Sequence, residues 1–178
     1  MDSFEQSVNK YERLVYTVCY RMMGNAEDAR DMTQEAFLKF YIALRDKKTK
    51  WANEKAQAGW LCRVASNRCI DEIRKRNPEI SLDDTENESQ TDIRDPNPTP
   101  DDMVIHKESL INIQNAINKL SPLNRQAVVL RDCMEMSYEE VSKAMNLPMG
   151  TVKSRINRAR EALKKLLAQT EQTGTENR

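Results

Sequence analysis

The 178-residue chain predicts an all-α protein made of two small helical domains joined by an acidic flexible linker. Three observations carry that prediction. Apolar residues recur three and four apart over both ends of the chain, and no stretch alternates as a half-buried strand would. The middle of the chain is poor in apolar residues and rich in acid and proline. Residues 136–163, MSYEEVSKAMNLPMGTVKSRINRAREAL, hold two amphipathic segments separated by a turn of a few residues, the pattern of a helix-turn-helix.

Taken in order, Phe4, Val8, Tyr11, Val15, Val18, Cys19 and Met22 make the first helical stripe. Met32, Ala36, Phe40 and Leu44 make the second, and Leu61, Val64, Ala65, Cys69 and Ile73 the third. These assign residues 1–78 to a first domain. Residues 79–108 are the predicted linker. With Pro96, Pro98 and Pro100 and few apolar groups, its central part buries too little to offset the entropy of ordering.

Residues 109–168 form the second predicted domain. Leu110, Ile113, Ile117 and Leu120 line its first helix, and Ser121 is expected to cap the next, with Pro122 at the first helical position. Ser137 and Glu140, three apart, form a capping box, and Met136 and Val141 stand where a hydrophobic staple would. Asn146, Leu147 and Pro148 break that helix, because proline lacks an N–H and disfavours helix in its predecessor. A last helix opens at about Met149, whose stripe of Val152, Ile156, Ala159, Leu163 and Leu166 faces the core. Gly150, Thr151, Lys153, Ser154, Asn157 and Arg158 fall on the other side, groups suited to base edges and phosphates. Arg155 and Arg160 flank the stripe, where phosphates or acidic neighbours would meet them. The polar tail, residues 169–178, is expected to fray.

Charge follows the same division. The net charge of zero hides 15 basic against 11 acidic residues in 1–78, two against ten in 79–110, and 11 against seven in 111–178. Two basic blocks able to approach phosphates flank an acidic one that is not. The linker is either a plain spacer or a segment whose charge keeps it off DNA or suits a basic channel in a partner. There is no apolar run near the length of a membrane span and no signal-peptide pattern, so a cytoplasmic protein that does not insert in membrane is expected. Cys19, Cys62, Cys69 and Cys133 lack ligand spacing and the chain has a single histidine, His106, so reduced core thiols are expected and no metal is assigned.

Four strings, in order, resemble the extracytoplasmic-function sigma factors of bacterial RNA polymerase. Residues 24–39, GNAEDARDMTQEAFLK, are similar to the acidic polymerase-binding helix of that family's region two. Residues 60–67, WLCRVASN, continued by Asp71, Arg74, Lys75 and Arg76, are similar to its promoter-melting helix. Leu120-Ser121-Pro122 and residues 150–155, GTVKSR, are similar to its region-four signature. The resemblance implies a region-two bundle and a region-four helix-turn-helix that direct core polymerase to promoters. It implies promoter DNA as partner, a duplex minus-35 element and a single-stranded minus-10 element, with an anti-sigma factor that masks the polymerase-binding surfaces. No cofactor, no catalytic residue and no obligate homo-oligomer are expected.

On that resemblance, Asp28, Asp31, Gln34 and Glu35 meet a basic surface of the polymerase, with Phe37 supplying core packing. Trp60, Arg63, Asn67, Arg68 and Arg74 attend strand separation, Trp60 either stacking on a base or acting as a buried staple. The loop at 46–59 would take up a flipped base. It departs from the family's shorter loop, and Trp51 and Asn53 in it either meet a base or pack and cap the loop. Arg30 is a second departure, standing where the family usually has an acid. Two other classes compete: a helix-turn-helix regulator that never enters the polymerase, and an enzyme built on the acidic helix, which no accompanying motif favours.

Overall fold

The computed structural model describes residues 2–46, 49–79 and 104–175. Among them all regular structure is helical. Three long helices come first: α1 (Asp2–Met23), α2 (Ala26–Arg45) and α3 (Glu54–Arg76). Gly24 separates α1 from α2 at φ +80°, a left-handed turn that costs glycine nothing. Asn25 then starts α2 by accepting the Asp28 N–H at 2.9 Å. The stripes of α1, α2 and α3 converge on Val15, Val18, Met22, Phe40 and Leu61, all fully buried. Truncating Phe40 to alanine here would cost about 3–5 kcal/mol.

The second half comprises α4 (Val104–Asn118), α5 (Pro122–Val128), a π-helical turn at Val129–Cys133 that prolongs α5, α6 (Tyr138–Met145) and α7 (Met149–Thr175). Helix α4 starts inside the segment expected to be linker, and 80–103, with all three of its prolines, lie outside the described residues. Helix α7 runs to Thr175, and 176–178 of the tail expected to fray lie outside the described residues. Both arms of the capping box form: Ser137 Oγ accepts from Glu140 N at 3.1 Å, and Glu140 accepts from Ser137 N at 2.7 Å. Asn146 ends α6 in the left-handed conformation at φ 53°, which asparagine tolerates better than most residues. Ser121 precedes α5 as expected, but its side chain makes no capping bond.

The two halves pack against each other. Arg21 donates to Gln114 Oε1 at 2.9 Å, and Arg125 reaches from α5 to the Met22 carbonyl at 2.6 Å. Gln126 donates to Ser66 Oγ at 3.1 Å and to Asn67 Oδ1 at 2.7 Å, while Asn67 donates to the Ala144 carbonyl at 3.3 Å. Gly24 sits so close to Asn118 that a β-carbon there would stand 2.6 Å from its side chain. This docking corrects the expected face of α4. Ile117 and Leu120 are buried as expected, but Leu110 and Ile113 are exposed, and polar Gln114 and Asn118 turn inward instead. They do so because α4 rests on the carbonyl-rich end of α1, where Gln114 Nε2 approaches the carbonyls of Tyr20 and Arg21.

Candidate nucleic-acid and polymerase interfaces

Helix α7 presents two chemically different sides. Val152, Ile156 and Ala159 are fully buried, whereas Lys153, Asn157 and Arg158 are exposed and Thr151 and Ser154 half-buried. With 3.6 residues per turn, the exposed set spans less than half the helix circumference. Arg155 was expected to meet phosphates or acidic neighbours. It is buried, 6% exposed, with Nη1 donating to Asn124 Oδ1 at 3.2 Å, because it falls at the edge of the stripe that packs on α5. Arg160 takes the acidic neighbour foreseen for it: Nε and Nη2 hold Asp132 at 2.9 and 2.5 Å.

On α2, Asp31 and Gln34 are exposed, but Asp28 and Glu35 are engaged across the bundle. Arg76 forks onto Asp28 at 2.7 and 2.8 Å, holding that carboxyl below the usual carboxylate range. Arg68 binds Glu35 through Nε at 2.7 Å and through Nη2. Residues expected at two different interfaces, Glu35 at the polymerase and Arg68 at the melted strand, are therefore partners of each other in this arrangement. Phe37 is buried in the core.

The apolar part of this surface was not legible as such. Leu38, Tyr41 and Ile42 are 59%, 46% and 40% exposed, and they continue the stripe begun by Asp31 and Gln34 at spacings of three, four and seven. Leu38 and Ile42, four apart and out of step with the buried Met32, Ala36 and Phe40, were the available signal.

Both tryptophans are spoken for. Trp51 lies 5.2 Å from Phe40 and 5.5 Å from Trp60, centroid to centroid, and Trp60 lies 6.0 Å from Phe40. Both rings therefore pack in one aromatic cluster, and both are half-buried. Trp51 Nε1 is buried with no acceptor among the described residues. Asn53 caps α3, accepting from Ala56 N at 2.9 Å. Arg63 and Arg74 are exposed and carry no ion pair among the described residues, on the same face as Asn67. Asn67 itself is committed to Gln126 and Ala144. Cys19, Cys62 and Cys69 are buried as expected, and burial pushes the Cys62 thiol up to about 12. Cys133, the last residue of the π-helical turn, is exposed, contrary to the expectation of four core thiols.

The family model for Sigma-70 region 2 matches residues 8–79, and that for Sigma-70, region 4, matches residues 110–163. The ECF RNA polymerase sigma factor SigW of Bacillus subtilis is 38% identical over 171 residues, covering 93% of this chain and 89% of SigW. The chain belongs to the ECF RNA polymerase sigma factors. The RNA polymerase sigma-H factor of Pseudomonas aeruginosa is 32% identical, over 93% of this chain and 86% of its own. The solved structure of the sigma factor RpoE in complex with the anti-sigma factor NepR from Bartonella quintana shares the fold, with a TM-score of 0.71 at 21% identity over 94% of this chain and 98% of RpoE. In this ECF sigma factor the region-two match spans α1 to α3, and the region-four match ends within α7 after its exposed polar face. No helix among the described residues is long and apolar enough to cross a membrane.

Proposed function

We propose that this sigma factor joins core RNA polymerase, reads a duplex minus-35 element with α7, captures a single strand of the minus-10 element at α3 and the loop before it, and catalyses nothing itself. The observation that carries the reading is the exposed face of Lys153, Asn157 and Arg158 opposite the buried Val152, Ile156 and Ala159. A helix with that division fits the major groove with its polar side while its apolar side stays in the protein. Asp31 and Gln34 with Leu38, Tyr41 and Ile42 form the polymerase contact, charge setting register and apolar area supplying affinity. Arg63 and Arg74 meet the backbone of the separated strand. Asn67 becomes available to it only when α5 and α6 withdraw, and the exposed polymerase-binding face of α2 is the surface that an anti-sigma factor would mask.

Residues 1–78 act as the promoter-melting unit and 109–168 as the minus-35 unit, with the acidic stretch between them as tether and the protein working in the cytoplasm. Run-off transcription tests the reading: purified core polymerase plus this chain should initiate at promoters mapped by genomic footprinting, and neither should do so alone. A chain that binds a duplex as a dimer, leaving core polymerase unaffected, would instead be a regulator of the helix-turn-helix class.

A further inference from the structure

Tyr138, the first residue of α6, gathers cations from two other elements. The Arg131 guanidinium, from the π-helical turn, lies 4.8 Å from the Tyr138 ring centroid, and the Lys153 ammonium, from α7, lies 5.6 Å from it. Both distances fall within the range over which a cation is drawn to a ring face. Arg160, one full heptad after Lys153 and so on the same side of α7, stands next to them on Asp132.

Two carboxylates of these elements are already engaged. Asp132 is taken by Arg160, and Glu140 by the Ser137 N–H and by Lys55 at 3.3 Å. Arg131 is anchored through Nη1 to the Met136 carbonyl at 2.7 Å. Its Nε is buried with no partner among the described residues. Neither Arg131 nor Lys153 has a carboxylate partner there. Two positive charges are thus each held against one aromatic ring, at the flank of α7 that faces α6. Asn157, Ser154 and Arg158 lie about 40°, 100° and 140° further round the helix, so the ring stands at the Lys153 edge of the proposed reading face. A helix lying in the major groove has a phosphate strand at its flank.

We propose that Tyr138 is a positioning residue that sets Arg131 and Lys153 as a two-cation grip on the phosphate backbone bordering the minus-35 element. This rests on the reading of α7 as the minus-35 helix. The grip fixes where the helix sits along the groove and carries no sequence preference, which stays with Ser154, Asn157 and Arg158. Without the ring, a lysine side chain samples many rotamers and the two like charges spread apart.

The test uses holoenzyme assembled from core polymerase and the full chain, with a duplex that the wild-type holoenzyme has selected from a library randomised at minus-35. Binding is measured over a potassium salt series for Tyr138→Phe, Tyr138→Leu and each combined with Lys153→Ala. Leucine fills the site without a ring face. It should weaken binding to all library sequences by a similar factor and make the slope of log affinity on log salt shallower by about one unit for each phosphate no longer neutralised. Phenylalanine keeps the ring and should keep the wild-type slope, and an unchanged unfolding midpoint of the leucine variant separates loss of the ring face from loss of folding. Lys153→Ala should flatten the slope in the phenylalanine background and add little in the leucine background. A leucine variant with the wild-type slope, or one whose sequence preference changes while its slope does not, overturns the role given to Tyr138 alone. A wild-type holoenzyme that selects no minus-35 sequence overturns the reading of α7 and the grip together.

Discussion

Arg125 closes the C-terminal ends of two helices belonging to different halves of the molecule, donating to the carbonyl of Met22 at 2.6 Å and to that of Asn118 at 2.5 Å. It also reaches Leu120 O at 3.2 Å, and burial lowers its pKa to about 10. A cation at the negative end of two helix dipoles is well placed, and its removal strands carbonyls that water reaches poorly. Arg125→Ala should therefore destabilise the chain by about 3 kcal/mol in urea unfolding. Arg125→Lys should recover less than half, since an ammonium cannot fork to both helices.

Gln126 holds the halves together at a second point through Ser66 and Asn67. Gln126→Ala should increase the share of molecules with separated halves. Energy transfer between dyes at the exposed positions Lys39 and Lys164 of the full chain reads this as a lower efficiency. The same variant should bind single-stranded minus-10 DNA more tightly in the absence of polymerase. Unchanged transfer with unchanged binding would mean that this contact does not withhold Asn67.

The capping box makes a pH-dependent contribution. The Ser137 N–H, and after it Lys55, holds the Glu140 carboxyl below its usual value of 4.5. A depressed folded-state pKa means stability that is present above the unfolded value and lost as pH falls through the folded one. The gap in unfolding free energy between wild type and Glu140→Gln should be widest near neutrality and close as pH falls below 4.5 and through the folded-state value. Ser137→Ala should cost about 1 kcal/mol.

Arg155 and Arg158 should separate cleanly. Arg158→Ala is expected to cost about 1–3 kcal/mol on the preferred minus-35 sequence and to relax the preference at one position, if its exposed guanidinium makes a bidentate base contact. Arg155→Ala should lower the unfolding midpoint and leave the salt dependence of holoenzyme binding unchanged, because the side chain is buried on Asn124. A salt slope that flattens with Arg155→Ala would put this side chain on the DNA backbone after all.

Asp31 and Glu35 differ in the same way. Asp31→Lys alters an exposed group and should change stability by less than about 0.5 kcal/mol while weakening competition for core polymerase. Glu35→Lys sets a cation against Arg68 and should weaken both stability and polymerase binding. Leu38→Ala should reduce polymerase affinity without loss of stability, since the side chain is 59% exposed. Competition against a labelled wild-type chain for core polymerase measures all three.

What the amino-acid order determined by itself was local. The helical stripes of α1, α2, α3 and α7, the capping box at Ser137 and Glu140, and the break between α6 and α7 each depend on residues within a few positions of one another, where helical geometry and steric exclusion leave few choices. The division of α7 into Val152, Ile156 and Ala159 inside and Lys153, Asn157 and Arg158 outside is of this kind. Tertiary structure decided everything that required knowing which helix lies beside which. It turned Gln114 and Asn118 inward and left Leu110 and Ile113 in solvent, because α4 meets the end of α1 where the Tyr20 and Arg21 carbonyls lie. It buried Arg155, paired Glu35 with Arg68, and stacked Trp51 and Trp60 on Phe40. A polar or charged side chain at a helix flank has the same periodicity whether it meets water, a partner or another helix. Only the packing of distant segments supplies the hydrogen-bond partner or the apolar cover that chooses among them.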